Sequence, residues 1–139
     1  MGKTIKISFD FDMTLGERHI QELASLLILA GADVWILTAR VDDYIRDENK
    51  KIIGYNGYNH DLRQVARRLG IPKDKILFTG GARKVKMYQE HKFDMHFDDM
   101  WDEVEAINRV GGKAMLVDMR IGDIIHLMNC ENLNIYFEE

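Results

Sequence analysis

The chain has 139 residues, a formal charge of −4 and one cysteine, Cys130. This size fits one domain, residues 1–139, with a core of its own. The charge removes any global attraction to nucleic acid or acidic membrane, and a lone cysteine excludes an intramolecular disulfide and suits a reducing compartment. No apolar run reaches the length of a membrane span, and the opening residues Met1-Gly2-Lys3-Thr4 form no secretory apolar region. A cytoplasmic protein without a membrane partner is the expectation; nothing in the sequence sets its oligomeric state.

In chain order, Ile5, Ile7, Phe9 and Phe11 alternate with Lys6, Ser8 and Asp10, the period of a strand. Ile20, Leu23, Ala24 and Leu27 then recur at helical spacing up to Gly31. Val34-Trp35-Ile36-Leu37 is a short apolar run, as in a strand buried on both faces. Residues 41–60 are charged, then rich in Gly, Asn and Tyr, and predict a loop or a partly helical excursion. Leu62, Val65, Ala66 and Leu69 form a helical stripe, with Asp61 as its cap and Gly70-Ile71-Pro72 as its end. Ile76-Leu77-Phe78 predicts a third strand, and Val85 and Tyr88 a short helix. Asp94-Met95-His96-Phe97 predicts a fourth strand, followed by a helix at 103–110 capped by Asp102. Ala114-Met115-Leu116-Val117 predicts a fifth strand, Ile124, Ile125 and Met128 a last helix, and 133–137 an edge strand. Strict alternation of this kind implies an α/β fold: a doubly wound, mostly parallel five-stranded sheet with helices on both faces.

In open α/β sheets, function collects at the carboxyl ends of the strands. The first predicted strand ends at Asp10 and Asp12, the second at Thr38-Ala39-Arg40. The third leads through Thr79-Gly80-Gly81 to Arg83, Lys84 and Lys86. The fourth ends at Asp98-Asp99 and the fifth at Asp118. Carboxylates on strand ends are costly to bury unless a cation or hydrogen bonds compensate them. Phosphoryl transfer uses this set of groups. A carboxylate can be the nucleophile, giving an aspartyl-phosphate. Mg²⁺ can relieve the repulsion between nucleophile and phosphate, held by oxygens such as those of Asp10, Asp98 and a carbonyl near Asp12. Asp12 is placed to carry a proton, and a threonine hydroxyl and a lysine can donate to the charged oxygens.

Asp10-Phe11-Asp12-Met13-Thr14, Thr38, Lys84 (or Lys86) and Asp98-Asp99, in this order, resemble the four motifs of the haloacid-dehalogenase-like phosphohydrolases, over about residues 5–118. The resemblance implies Asp10 as nucleophile and Mg²⁺ ligand, and Asp12 as general acid/base that lends its carbonyl to the metal. It implies Thr38 and Lys84 as holders of the phosphoryl group, Asp98 as a further metal ligand, and Asp99 as a second ligand or a partner acting through a metal-bound water. Thr14 and Arg40 are assigned to substrate binding. Met13 departs from the family, where Gly often precedes the motif threonine. The intervals between motifs leave about twenty residues, 41–60, beyond the core elements, too few for a folded cap. Thr38-Ala39-Arg40 and Phe97-Asp98-Asp99 are similar to the 3′-phosphatase half of polynucleotide kinases. That likeness implies an open site acting on a phosphorylated nucleic-acid end or a nucleotide, with Arg63, Arg67, Arg68, Lys73 and Lys75 as candidate backbone contacts.

Plainer readings stand beside these. Asp10 and Asp12 could cap a helix, and Thr38, Lys84, Lys86 and Asp99 could be ordinary surface or strand-end residues. His96 reads as a satisfied core histidine, Trp35 as core, and Thr79-Gly80-Gly81 as a turn. Two rival functions remain: a phosphoacceptor receiver-like signalling domain, disfavoured by the motif order, and a catalytically silent metal-binding scaffold, disfavoured by an intact Asp12.

Overall fold

The computed structural model describes residues 4–117. The predicted helix at 124–128, the edge strand at 133–137 and Asp118 lie outside the described residues. Strands β1 (Lys6–Phe9), β2 (Asp33–Thr38), β3 (Tyr44–Arg46), β4 (Ile52–Tyr55), β5 (Ile76–Phe78), β6 (Met95–Asp98) and β7 (Ala114–Leu116) are joined by helices α1 (Arg18–Leu29) after β1, α2 (His60–Leu69) after β4, α3 (Val85–Glu90) after β5 and α4 (Trp101–Arg109) after β6. Five of the strands form one sheet in the order β5-β2-β1-β6-β7, and every pair in it is parallel.

Parallel strands with crossovers must be covered on both faces, and two apolar clusters do this. Ile7, Phe9, Val34, Ile36 and Phe97 pack with Ile20, Leu23 and Leu27 of α1 and with Leu62, Val65 and Ala66 of α2. Leu37 packs with Tyr88 of α3, with Val104 and Ile107 of α4, and with Phe93 and Ala114. Phe9 and Phe97 stack at 4.9 Å between ring centroids, closing the β1–β6 contact. One register position earlier, the partners Ser8 and His96 are polar and still fully buried. No helix of the described residues is long and apolar enough to cross a membrane.

The sheet order places β1 in the centre. The chain leaves β1 toward β2 and β5, then returns to β6 and leaves toward β7 on the other side. The crevice between the carboxyl ends of β1 and β6 is therefore a topological switch point. Asp10 follows β1 there, its N–H donating to the Phe97 carbonyl at 2.9 Å, and Asp98 ends β6.

The structure corrects three local expectations. Residues 41–60 are neither plain loop nor helix: β3 and β4 pair antiparallel as a separate hairpin, Tyr44 opposite Tyr55. Asp47 closes its turn, accepting from the N–H groups of Asn49 and Lys51 at 2.9 Å each. Asp61 is not the cap of α2; Asn59 holds that position and Asp61 lies in the first turn. Likewise α4 starts at Trp101 with Met100 as its N-cap, and Asp102 sits inside its first turn. The predicted stop of α2 is as expected. Gly70 takes the left-handed conformation there, with φ 77°, which a residue without Cβ adopts freely.

Candidate active site

The site is built on the β1–β6 crevice. Lys84, just before α3, reaches across it. Its ammonium donates to Asp10 Oδ1 at 2.8 Å and to Asp98 Oδ2 at 2.6 Å. Lys86, the alternative lysine, points away and pairs with Glu90 at 4.0 Å on the exposed face of α3. Lys84 is thus the lysine at the site. Burial works against its charge, but Asp10 and Asp98 hold its proton more tightly than usual.

Asp98 is fully buried and has three hydrogen-bond partners. Its Oδ2 accepts from Lys84 at 2.6 Å and faces His96 Nε2 at 2.8 Å, while Oδ1 accepts from the Met100 N–H at 3.0 Å. Burial opposes its charge, but His96 and Lys84 keep the carboxyl below its ordinary range. Burial also lowers the His96 pKa. A neutral imidazole has one donor and one acceptor nitrogen. With the His96 proton on Nε2, Nδ1 accepts from the Ser8 hydroxyl at 2.7 Å. His96 is therefore the satisfied core histidine expected, and it also braces Asp98.

Asp10 behaves differently. Burial raises its carboxyl from the ordinary value to about 7; Lys84 draws it down and Asp98 pushes it up. Its Oδ2 takes only a long contact from the Thr14 hydroxyl, 3.3 Å. That hydroxyl also faces Asp99 Oδ1 at 3.4 Å. Thr14 thus links the nucleophile candidate to Asp99. One oxygen each of Asp10, Asp98 and Asp99 lies within 4.8 Å of the others. Carboxylate oxygens so grouped suit a hard divalent cation such as Mg²⁺. Asp10 and Asp99 keep free acceptor capacity for it, whereas Asp98 has less, with three donors already on its two oxygens.

Asp12 leaves the chain where the backbone breaks its helical course. Asp12 has ψ 127° and Met13 has φ 60°, inside a turn closed by Leu15 N–H to the Asp10 carbonyl at 3.0 Å. The Asp12 carboxylate points to Arg40, which grips it with two hydrogen bonds: Nε to Oδ2 at 2.9 Å and Nη2 to Oδ1 at 2.7 Å. Arg40 also bonds Asp61 through Nη1 at 2.8 Å and Nη2 at 3.0 Å, and Asn59 Oδ1 at 3.3 Å. A guanidinium has five N–H hydrogens, so each is engaged. Contact between Arg40 and a substrate phosphate requires exchange of one of these partners. Thr38 is fully buried, and its hydroxyl accepts from the Arg40 N–H at 3.2 Å. The Gly80 and Gly81 N–H groups bond the carbonyls of Arg40 and Ala39, so Thr79-Gly80-Gly81 is the turn expected and buttresses the Arg40 backbone.

A cavity of about 490 Å³ opens over Asp10, Asp12, Lys84 and Asp99. A larger cleft of about 870 Å³ begins at Asp12 and Met13 and runs past Asp61, Gln64, Arg67 and Arg68. The larger space holds none of Asp10, Lys84 or Asp99, so the candidate site is the smaller one; the two share Asp12 and Met13. Of the other basic residues expected to contact a backbone, Arg63 is buried against Asp43 and Lys75 pairs with Asp33. Lys73 lies over the Tyr44 ring at 5.8 Å.

Asp61, Asn59 and Asp43 are absent from the sequence-based site. Asn59 donates through its side chain to the Val41 carbonyl at 2.8 Å and through its N–H to Asp43 at 2.9 Å. Arg63 in turn holds Asp43 at 2.7 Å. Each contact spans some sixteen to twenty residues, and no local pattern announces it. No protein-family model matches the sequence, and no curated protein matches it.

Proposed function

We propose that the chain is a Mg²⁺-dependent phosphatase that hydrolyses a phosphomonoester through an aspartyl-phosphate. The observation that carries this reading is the meeting of Asp10, Lys84 and Asp98-Asp99 at the β1–β6 switch point. In the proposed reaction an Asp10 oxygen attacks phosphorus and the bond to the leaving oxygen breaks. Asp12, protonated, passes its proton to that oxygen. Water then attacks phosphorus, gives a proton to Asp12, and the bond to Asp10 breaks, freeing phosphate and restoring the carboxylate. Lys84 holds Asp10 in place and balances part of the charge. Mg²⁺ held by Asp10, Asp98, Asp99 and the Asp12 carbonyl would supply the remaining neutralisation of the phosphate oxygens.

We read the hairpin of β3 and β4 as too small to be a cap, leaving an open site. The resemblance to 3′-phosphatases makes a nucleic-acid 3′-end or a nucleotide the leading substrate class. A panel of phosphomonoesters assayed with Mg²⁺ and with EDTA tests the reading. Turnover that needs Mg²⁺ and disappears in Asp10→Asn is expected; turnover that survives either removal contradicts it. Preference for a 3′-phosphorylated oligonucleotide supports the substrate class, and uniform slow hydrolysis of all members counts against it.

A further inference from the structure

We propose that Asp61 and Arg40 act as a positioning pair that aims the Asp12 carboxyl at the leaving-group oxygen. The proposal rests on the phosphatase reading. It adds a residue, Asp61, that no motif marks, and gives the segment between β2 and α2 a task.

The geometry is unusually complete for a group this close to solvent. Arg40 meets Asp12 side-on, two N–H donors on two oxygens. On its other edge Asp61 takes one hydrogen from each terminal nitrogen, and Asn59 takes the last. The guanidinium carbon also lies over the Phe11 ring, 4.8 Å from its centroid. Arg40 is therefore held by acceptors around its edge and by an aromatic ring beside it. Asp12 is itself largely exposed, its side chain 58% accessible. Without the fork it would sample several rotamers in water. An exposed ion pair stabilises a fold only slightly, so stability is a weak reason for two carboxylates and an amide around one arginine. Orientation of the proton carrier is a better one: the fork fixes the carboxylate plane, each oxygen keeps a second lone pair on which a proton can sit, and acid–base catalysis depends on hydrogen-bond reach to the reacting oxygen.

Asp61 is placed for this by the first turn of α2. The segment before α2 is locked in turn. Asn59 is tied to Val41 and Asp43, and Asp43 to Arg63, whose guanidinium covers the Tyr44 ring of the hairpin at 4.3 Å. The hairpin base, the start of α2 and the turn after β2 thus form one hydrogen-bonded frame ending at Asp12. Asp61 accepts from Arg40 and from the Leu62 N–H at 2.8 Å, which anchors it in the first turn of α2, and bonds none of Asp10, Asp98, Asp99 or Lys84, so its influence on the reaction runs through Arg40 and Asp12.

The test separates orientation of the acid from everything else by changing the leaving group. The first step, transfer of phosphate to the protein, is followed under single-turnover conditions with two substrates. p-Nitrophenyl phosphate releases a phenolate that needs no proton; β-glycerol phosphate releases an alkoxide that does. In Asp61→Asn the step is expected to slow about tenfold or more with β-glycerol phosphate and less than about threefold with p-nitrophenyl phosphate. Arg40→Lys keeps the charge but loses the fork; whatever both substrates lose in binding, β-glycerol phosphate is expected to lose more. Equal losses on both substrates, or no loss on either, would overturn the proposal while leaving the phosphatase reading standing. A parent protein inactive on both, with Mg²⁺ present, would overturn the reading and the proposal together.

Discussion

Replacing Lys84 by Met removes a cation seated between two buried carboxylates. Its ammonium lies 2.8 Å from Asp10 and 2.6 Å from Asp98, and its side chain is 3% exposed. At an effective dielectric of about 20, each contact is worth about 6 kcal/mol before desolvation is counted. Most of that is offset by the cost of burying the ions. The net loss when one partner of a buried pair disappears is about 3–5 kcal/mol, or a fall in Tm of about 10–20 °C for a domain of this size. The loss has a pH signature. The Asp10 carboxyl is already raised to about 7, chiefly by burial. A carboxyl raised on folding contributes stability that is full below its unfolded value, about 4, and is lost as pH climbs through about 7. Without Lys84 its folded value rises further, so the penalty is largest near about pH 8. Near about pH 5 Asp10 is neutral in the folded state of both proteins, and its share of the penalty vanishes. Asp98 works in the opposite sense. Its carboxyl is lowered by His96 and Lys84 against burial, so its contribution is present above about pH 4 and is lost only in acid. His96 and the Met100 N–H still serve it in the variant. Thermal unfolding of metal-free Lys84→Met and parent at both pH values measures this. A Tm loss at about pH 8 at least twice that at about pH 5 is expected. A loss within about 2 °C, or one that does not change with pH, refutes the reasoning.

Added Mg²⁺ should raise Tm more at about pH 8 than at about pH 5.5, because ion and proton compete for Asp10; a shift that is absent, or equal at the two pH values, would contradict the metal assignment. Met13 holds φ 60° and is 66% exposed, a conformation in which Gly carries no steric penalty. Met13→Gly is expected to leave the unfolding free energy from urea titration unchanged or raise it by about 0.5 kcal/mol after the added unfolded-chain freedom is counted; a lowered value means that the side chain packs in some way that offsets its strain. Arg63→Ala strands the buried Asp43 carboxylate and should cost about 2–3 kcal/mol, with faster hydrogen exchange at Tyr44–Arg46. Unchanged exchange there would remove Arg63 from the frame that holds the hairpin.

The five parallel strands were legible from apolar patterning: β1 as an alternation of apolar and polar residues, and Val34-Trp35-Ile36-Leu37 most clearly as the short apolar run that a sheet covered on both faces requires. Their carboxyl ends followed from topology, and so did the approach of Asp10 to Asp98. The hairpin was not legible. Its strands have three and four residues, mostly exposed, and Asp47, Glu48, Asn49 and Lys50 between them dominate the pattern. Spacing could favour Lys84 over Lys86 but not decide it, since both sit at the start of one short helix. The choice is made in three dimensions, by which side chain faces the crevice. Arg40 was expected at the substrate, and its company was invisible: an ion pair between residues 40 and 61 leaves no periodic trace. Asp61 instead looked like a helix cap, a common reason for an acidic residue at that place. His96 shows the opposite case. An apolar strand around it argued for a satisfied core histidine, and Ser8 and Asp98 satisfy it.

In the proposed reaction Asp10 carries the phosphoryl group. Asp12→Asn, which keeps the nucleophile but lacks the base for the second step, is the variant in which that adduct should accumulate. The protein is mixed with Mg²⁺ and p-nitrophenyl phosphate, quenched in acid, digested and mapped by mass spectrometry. A phosphoryl group on the peptide bearing Asp10, lost in the Asp10→Asn/Asp12→Asn double variant, is the expected result. Nitrophenolate release with no adduct on Asp10, or turnover that persists in Asp10→Asn alone, would contradict the account.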